Sequence, residues 1–353
     1  MPVKILGGGL SGLSAAINLA KGGKEVEVFE LRNGIGMQIS PNFQSAGISI
    51  GNFGKYLNGL NIDSDKLSFA AYECKKATIL TRTKQVKMKL REPVAMLCRG
   101  GERSLEYSLF NLAKNLGVKF HFNSSIPETE VDIVATGVKK ADGAAFGCVY
   151  KDYEFENSSF LAMFDDRYSP KGMYFYIAPH LDGTIEAVNC TTKPHLPEVK
   201  ALFYKAVEER REIRDIIRGE EIASFGGIGN ASFSNSKKEG ARCYVGEAGG
   251  FQDAFMGFGM RFALESGKLA ADSMLTGNDY DYLWKRHLLK DFKYGIAVRF
   301  LTSTFGDGIV DVVFKINENC ESGKINTNNI TIRALMELLF NAGLLKHKVM
   351  GRW

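Results

Sequence analysis

The segment ILGGGLSGLSAAINLAKGGKEVEVFE, residues 5–30, decides the fold. A short apolar strand runs into Gly7-x-Gly9-x-x-Gly12, and LSGLSAAINLAKGG then repeats small and apolar residues at helical spacing before stopping on Gly22 and Gly23. KEVEVFE alternates and ends in an acid, Glu30. That order is a βαβ unit whose helix N-terminus faces a pyrophosphate. The first glycine allows the tight turn, the second lets backbone approach the pyrophosphate, and the third lets the helix pack close to the strand. Glu30 stands where a carboxylate accepts hydrogen bonds from ribose hydroxyls, and an acid there disfavours a 2′-phosphate, so NADP is not expected at this site.

The rest of the chain bounds what surrounds this unit. Its 353 residues suffice for two domains, or for one domain split by an insertion. With 45% hydrophobic and 24% charged residues, the composition is that of a globular α/β protein and excludes a disordered or fibrous chain. The net charge of +5 is small and the basic residues are scattered, so no nucleic-acid partner is expected. Six cysteines (Cys74, Cys98, Cys148, Cys190, Cys243, Cys320) lie far apart, with no C-x-x-C and no histidine at ligand spacing. Reduced thiols and no metal site follow. The chain enters a strand at once and holds no run near the ~18 apolar residues of a membrane helix, so a cytoplasmic protein is expected.

Beyond Glu30, residues 33–54 are rich in Gly, Ser, Asn and Gln and read as an irregular crossing segment. KATILTRTKQVKMKL (76–90) alternates like a hairpin, residues 102–117 form an amphipathic helix, VKFHF a strand, and VDIVATG (131–137) a buried strand. Residues 145–190 are β-rich, and a charged helix spans 198–219. RCYVGEAGG then returns to a buried strand that ends on glycines and precedes a helix, RFALESGKLAADSML; from about Asp279 the chain is helical. A nucleotide domain split by a second domain fits this order. The expected divisions are a first part of the nucleotide domain at 1–72, a hairpin of the second domain at 73–94, and the nucleotide domain again at 95–140. The second domain resumes at 141–238, the nucleotide domain closes at 239–278, and a helical region occupies 279–353.

YVGEAGGFQDAFMGFGMRFALESGKLAA (244–271) places a carboxylate and small residues at a helix N-terminus, which suits ribityl hydroxyls and negative charge. Gly246, Ala248, Gly250, Asp253, Gly257 and Gly259 fall in register with the second flavin motif of the geranylgeranyl reductase family. The stretch resembles that family, within the p-hydroxybenzoate hydroxylase-like superfamily of FAD enzymes. Two positions depart: Glu247 replaces the family aspartate and Ala254 its proline. The resemblance implies an α/β fold, a Rossmann-like FAD-binding domain of the p-hydroxybenzoate hydroxylase type interrupted by a β-sheet substrate domain, with a helical C-terminus.

It also implies where FAD would sit. Gly7, Gly9, Leu10, Ser11 and Gly12 come from the first motif, followed by Glu30 and Leu31 at the end of the second strand. Thr136 and Gly137 close VATG, and Gly246, Glu247, Gly257, Gly259 and Met260 come from the second motif. Of Arg99 and Arg103, Arg99 is taken as the arginine lying along the cofactor. YFYIAP (174–179) is similar to the family's P-x-x-Y-x-W-x-F-P, with Tyr176 for Trp and Ala178 for Phe, which puts Tyr174, Tyr176 and Pro179 on the substrate side with Phe255. The family's substrate-side cysteine has no counterpart between Gln38 and Gly51.

Three readings stay open. The first is an FAD-dependent reductase of the geranylgeranyl reductase type, delivering hydride to a carbon–carbon double bond of an isoprenoid or other apolar small molecule. Its catalytic acid is not identifiable, since His180 and His195 qualify by chemistry alone. The second is a flavin hydroxylase of an aromatic or polyketide-like substrate, against which stands the absence of the A-D-G-x-x-S-x-V-R motif; the literal ADG at 141–143 follows the end of its strand. The third is a non-catalytic FAD-binding protein. GGIGNA (226–231) precedes a polar stretch and not a helix, so electrons are expected from an external donor, NAD(P)H or a reduced ferredoxin-like protein. Finally, Leu335, Leu338, Leu339, Ala342 and Leu345 share one face of a C-terminal helix, suited to peripheral membrane contact or to packing on the protein's own domain.

Overall fold

The computed structural model describes residues 1–37, 42–47, 50–230, 233, 236–311 and 330–350. The opening unit forms as its pattern demands: β1 (Val3–Leu6), α1 (Leu10–Lys21) and β2 (Val26–Phe29), with β1 and β2 parallel. Then follow β3 (Asn42–Ser45), α2 (Ile50–Gly59), β4 (Ala71–Thr81), β5 (Gln85–Arg99), α3 (Leu105–Asn115), β6 (Lys119–His121) and β7 (Ile133–Val134). β8 (Gly143–Tyr150), β9 (Ser159–Phe164), β10 (Phe175–Pro179) and β11 (Ile185–Thr192) build the middle, before α4 (Val199–Glu209), α5 (Arg211–Ile216) and β12 (Glu221–Gly229). β13 (Lys238–Glu239), β14 (Arg242–Tyr244), α6 (Met260–Thr276), α7 (Tyr280–Phe305) and α8 (Ile330–Met350) complete the chain.

Two sheets result. The first runs β13-β14-β7-β1-β2-β6 and is parallel except for its β13 edge. The second runs β12-β8-β11-β10-β9-β4-β5-β3 and is antiparallel apart from the β4–β9 pair. Strands distant in sequence thus lie side by side: β14, from residues past 240, joins β7 next to β1. The Rossmann-like unit is therefore completed by residues past 240.

α1 is buried along nearly its whole length because α3 and α6 pack against it. Small residues permit close approach on two sides of α1: a Cβ at Gly267 of α6 would meet Ser11 O at 2.2 Å, and one at Gly12 would meet Gly7 O, in the turn after β1, at 2.1 Å. A second core, including Phe175, Ile177, Leu161 and Phe203, fills the space between the back of the eight-stranded sheet and α4.

The structure departs from the sequence expectations in three places. Residues 33–54 are not wholly irregular, because Asn42–Ser45 pair with Met96–Arg99 of β5 and a helix starts at Ile50. Pairing with a distant strand overrides weak local propensity. The helix expected over 198–219 is broken at Arg210, whose backbone turns extended. Its guanidinium bonds Thr81 O at 2.9 Å and pairs with the fully buried Asp165, contacts that a continuous helix does not offer. In α8 the face named from sequence is divided: Leu335, Leu338 and Leu345 are exposed, while Leu339 and Ala342 are half-buried. Phe340 and Gly343 pack on Ile296 and Phe300 of α7 instead. Among the described residues no helix is long and apolar enough to cross a membrane.

Candidate active site

One cavity of about 870 Å³ runs from the C-terminal ends of β1, β2 and β7 to the inner face of the eight-stranded sheet. That end of a parallel sheet, where the strand order switches direction, is where nucleotides bind in open α/β folds. The turn after β1 is shaped by Gly7, whose φ of +106° and whose missing Cβ, which would lie 2.3 Å from Ala135 O, admit no other residue without rearrangement. α1 starts just after Gly9, its N-cap residue, with no capping side chain and no acid in its first turn, so its free amides and dipole face the cavity. Glu30 stands at the end of β2. Its carboxylate accepts from Gly8 N–H at 2.8 Å and Arg32 N–H at 3.0 Å, which fixes it at the rim.

Midway, Arg99 leaves the end of β5. Its Nε pairs with Glu106, fully buried in the first turn of α3, and its Nη1 donates to Gln44 Oε1 at 2.8 Å. Opposite, a short 3-10 turn at Gly246–Gly249 carries Glu247 at the cavity wall, and α6 starts just after its N-cap residue Gly259, again with no side-chain cap and no first-turn acid. Burial pushes the Glu247 carboxyl up to about 7, with Arg99 pulling the other way. Asp253 accepts from Phe255 N–H and Met256 N–H and holds the glycine-rich loop.

The far end is an aromatic chamber. Phe160 stacks on Tyr176, Tyr174 lies 6.1 Å from Tyr176, and Phe255 stacks on Phe164. Burial holds both tyrosine hydroxyls well above their usual range. Tyr174 donates to Met256 O, which ties the chamber to the loop before α6. Cys190 is also on this wall, its thiol pushed up to about 12 by burial, with Glu186 adding to the effect.

Of the residues singled out from sequence, Gly7, Gly9, Leu10, Ser11, Glu30 and Leu31 line the cavity, as do Arg99, Thr136 and Gly137. So do Gly246, Glu247, Gly257, Gly259 and Met260, and on the other side Tyr174, Tyr176 and Phe255. Gly12 and Pro179 do not. Gly12 is taken up by the approach of α1 to the turn after β1. Pro179 fails by strand alternation: Tyr176 and Ala178 point to the cavity side, so Pro179 points away, its carbonyl accepting from Tyr72 Oη at 2.7 Å. His195 pairs with Glu198 away from the cavity, and His180 lies behind its wall.

Sequence reading missed one wall entirely. Gly226, Gly227 and Gly229 of β12, with Ala144 and Ala145 of β8, line the cavity with almost no side chain. The signal was present in GGIGNA, since glycines inside a strand mark close approach of a ligand or another backbone. Asn42, also on the wall, leaves a buried Oδ1 without a partner. Among the described residues, no group of three His, Cys, Asp or Glu is placed to hold a metal ion.

Residues 5–57 match the model of the NAD(P)-binding Rossmann-like domain. No curated protein matches the chain. Among solved structures it is similar to a geranylgeranyl bacteriochlorophyll reductase-like protein from Thermoplasma acidophilum, with a TM-score of 0.73, 15% identity and 98% of each chain covered. It is similar to the flavin-dependent brominase Bmp2 at a TM-score of 0.65 and 15% identity, covering 99% of this chain and 98% of the other. PqsL of P. aeruginosa, solved with 2-aminobenzoylacetate, gives a TM-score of 0.63 at 12% identity over 88% of this chain and 99% of the other. At these identities the likeness is one of fold, and the fold of this chain is the one these three share.

Proposed function

We propose that the chain is an FAD-dependent oxidoreductase that reduces a carbon–carbon double bond of an isoprenoid or other apolar small molecule. The observation that carries this reading is continuity. One cavity joins a nucleotide end at α1 and Glu30, a middle between Arg99 and Glu247, and an aromatic chamber at Tyr174 and Tyr176. The fold it shares with the Thermoplasma reductase-like protein supports it. The residues present suit FAD. Glu30 takes the ribose, the α1 amides the pyrophosphate and Glu247 the ribityl hydroxyls, while the uncapped start of α6 and the orphaned Asn42 Oδ1 offer polar partners further along. FAD, when reduced, supplies the hydride.

The chain's own part is to position and to shield. Glu106 and Gln44 hold Arg99 in place, and Gly257 and Gly259 let the loop before α6 approach closely. Phe160, Tyr174, Tyr176 and Phe255 give an apolar alkene a dry seat. Electrons come from an external donor, NAD(P)H or a reduced ferredoxin-like protein.

The test starts with the absorbance of the purified protein and the mass of the cofactor released by heat. Flavin bands and released FAD support the reading; a colourless protein that does not take up added FAD ends it. Anaerobic reduction followed by incubation with a panel of prenyl alcohols then asks for a gain of two hydrogens, and its absence across the panel removes the reductase activity. The fold shared with PqsL keeps a flavin monooxygenase as the second reading. That reading requires substrate-stimulated NAD(P)H oxidation with oxygen uptake. Bound flavin that no donor reduces would instead mark a non-catalytic FAD-binding protein.

A further inference from the structure

Behind the aromatic chamber lies a buried polar cluster that the reading above leaves unused. Ala178 pairs with Glu186 and Tyr176 with Val188, so Tyr176 and Glu186 are diagonal neighbours on the cavity side of β10 and β11. Glu186 is fully buried, its Oε2 is 3.0 Å from His180 Nε2, and its Oε1 has no hydrogen-bond partner. The Tyr176 hydroxyl lies beside that carboxylate. On its other edge, His180 Nδ1 is 3.1 Å from Thr184 Oγ1, which donates to Asp182 Oδ1 at 2.6 Å. Asp182 is exposed, and His180 lines a second cavity together with Glu73 and Glu156.

The hydrogen-bond directions constrain the protons. Thr184 gives its proton to Asp182, so it accepts from Nδ1–H of His180; Nε2 and the Glu186 carboxylate then share a proton between them. Among the described residues His180 is the ion-pair partner of Glu186, and a wholly buried carboxylate needs that proton or that charge. The neighbouring Tyr72 hydroxyl is committed to Pro179 O, and burial holds Tyr72 and Cys190 in their protonated forms.

We propose that Tyr176 is the proton donor of the cavity and that Glu186 and His180 resupply it from the second cavity. The inference rests on the reductase reading. As the substrate accepts its proton, the Tyr176 O–H bond breaks and a C–H bond forms, the O–H electron pair staying on oxygen. Glu186 passes to the phenolate the one proton it shares with His180 Nε2, which leaves His180 neutral with its remaining proton on Nδ1 toward Thr184, and solvent of the second cavity, which His180 lines, returns one proton to the Glu186–His180 pair. One proton enters per turnover, and the electrons arrive as the hydride of reduced flavin. Tyr176 is the catalytic residue here; Glu186 and His180 act through it.

The test uses the full chain loaded with FAD, reduced anaerobically with dithionite and mixed with geranylgeraniol as probe alkene, with flavin reoxidation followed in a single turnover. Tyr176→Phe is expected to slow reoxidation by about 10²- to 10⁴-fold, the usual contribution of a positioned acid, with FAD affinity unchanged. His180→Ala is expected to slow it by at least about tenfold and to recover with added imidazole, which enters through the second cavity. Unchanged rates, or slowing that imidazole does not relieve, overturn the relay. If the wild type reduces no alkene, the reductase reading fails, and ¹⁵N-histidine spectra then judge the relay separately. The His180 ring signal, assigned by its loss in His180→Ala, must shift in Tyr176→Phe and not in Tyr174→Phe; a signal indifferent to Tyr176 overturns the relay.

Discussion

Replacing Glu247 by Gln isolates the charge on the wall between the two ends of the cavity. Burial raises this carboxyl from 4.5 to about 7, against the pull of Arg99. A rise of that size is worth about 3 kcal/mol at ~1.4 kcal/mol per pH unit, and this is an upper figure because the carboxyl opens onto the cavity. The folded state keeps its proton where the unfolded chain has lost it, so the contribution is full below pH 4.5 and is lost as the pH rises through about 7. Thermal unfolding of the apo protein between pH 5 and 8 should therefore show a fall in the wild type that is absent from Glu247→Gln. At about 2 °C per kcal/mol in a chain of this size, the gap between the two curves reaches roughly 5 °C. FAD affinity should fall over the same interval in the wild type, as the neutral carboxyl loses the proton it donates, and stay level in the variant. Parallel melting curves with the same pH slope would refute the burial of a neutral Glu247.

Three further outcomes are expected. Gly7→Ala forces a Cβ to within 2.3 Å of Ala135 O at a positive φ, and should abolish FAD uptake, read by flavin fluorescence quenching, together with a lowered melting temperature. A Cβ at Gly227 meets no atom within 4 Å, so Gly227→Leu should leave melting unchanged, yet weaken the binding of long-chain prenyl alcohols to the FAD-loaded protein by filling the cavity. Arg299→Met deletes a wholly buried guanidinium that donates to Gly172 O at 3.0 Å and Thr192 Oγ1 at 2.7 Å, tying α7 to the eight-stranded sheet. It should cost roughly 2 to 3 kcal/mol in denaturant unfolding while FAD still binds, since it leaves two buried acceptors unpaired.

The nucleotide end was legible from residues 5–30 because its physics is local. Glycine spacing, an uncapped helix start and a strand ending on Glu30 all fall within one short βαβ unit. The second glycine-rich stretch, 244–271, was readable for the same reason, as a strand, a tight turn and a helix N-terminus in succession. The chamber between them was not. Tyr176, Glu186 and His180 are spread over eleven positions of chain and become a cluster through the antiparallel register of β10 and β11, which period two alone does not reveal. β3 formed where local composition argued for irregular chain, because β5 supplied its hydrogen bonds. The outward face of α8 shows the same limit, since an apolar stripe says that a helix has two sides and not which side its neighbour takes. By itself the sequence determined the kind of fold and the glycine turns that a dinucleotide needs. Tertiary structure decided which walls meet around the cavity, because strand pairing brings residues together irrespective of their distance along the chain.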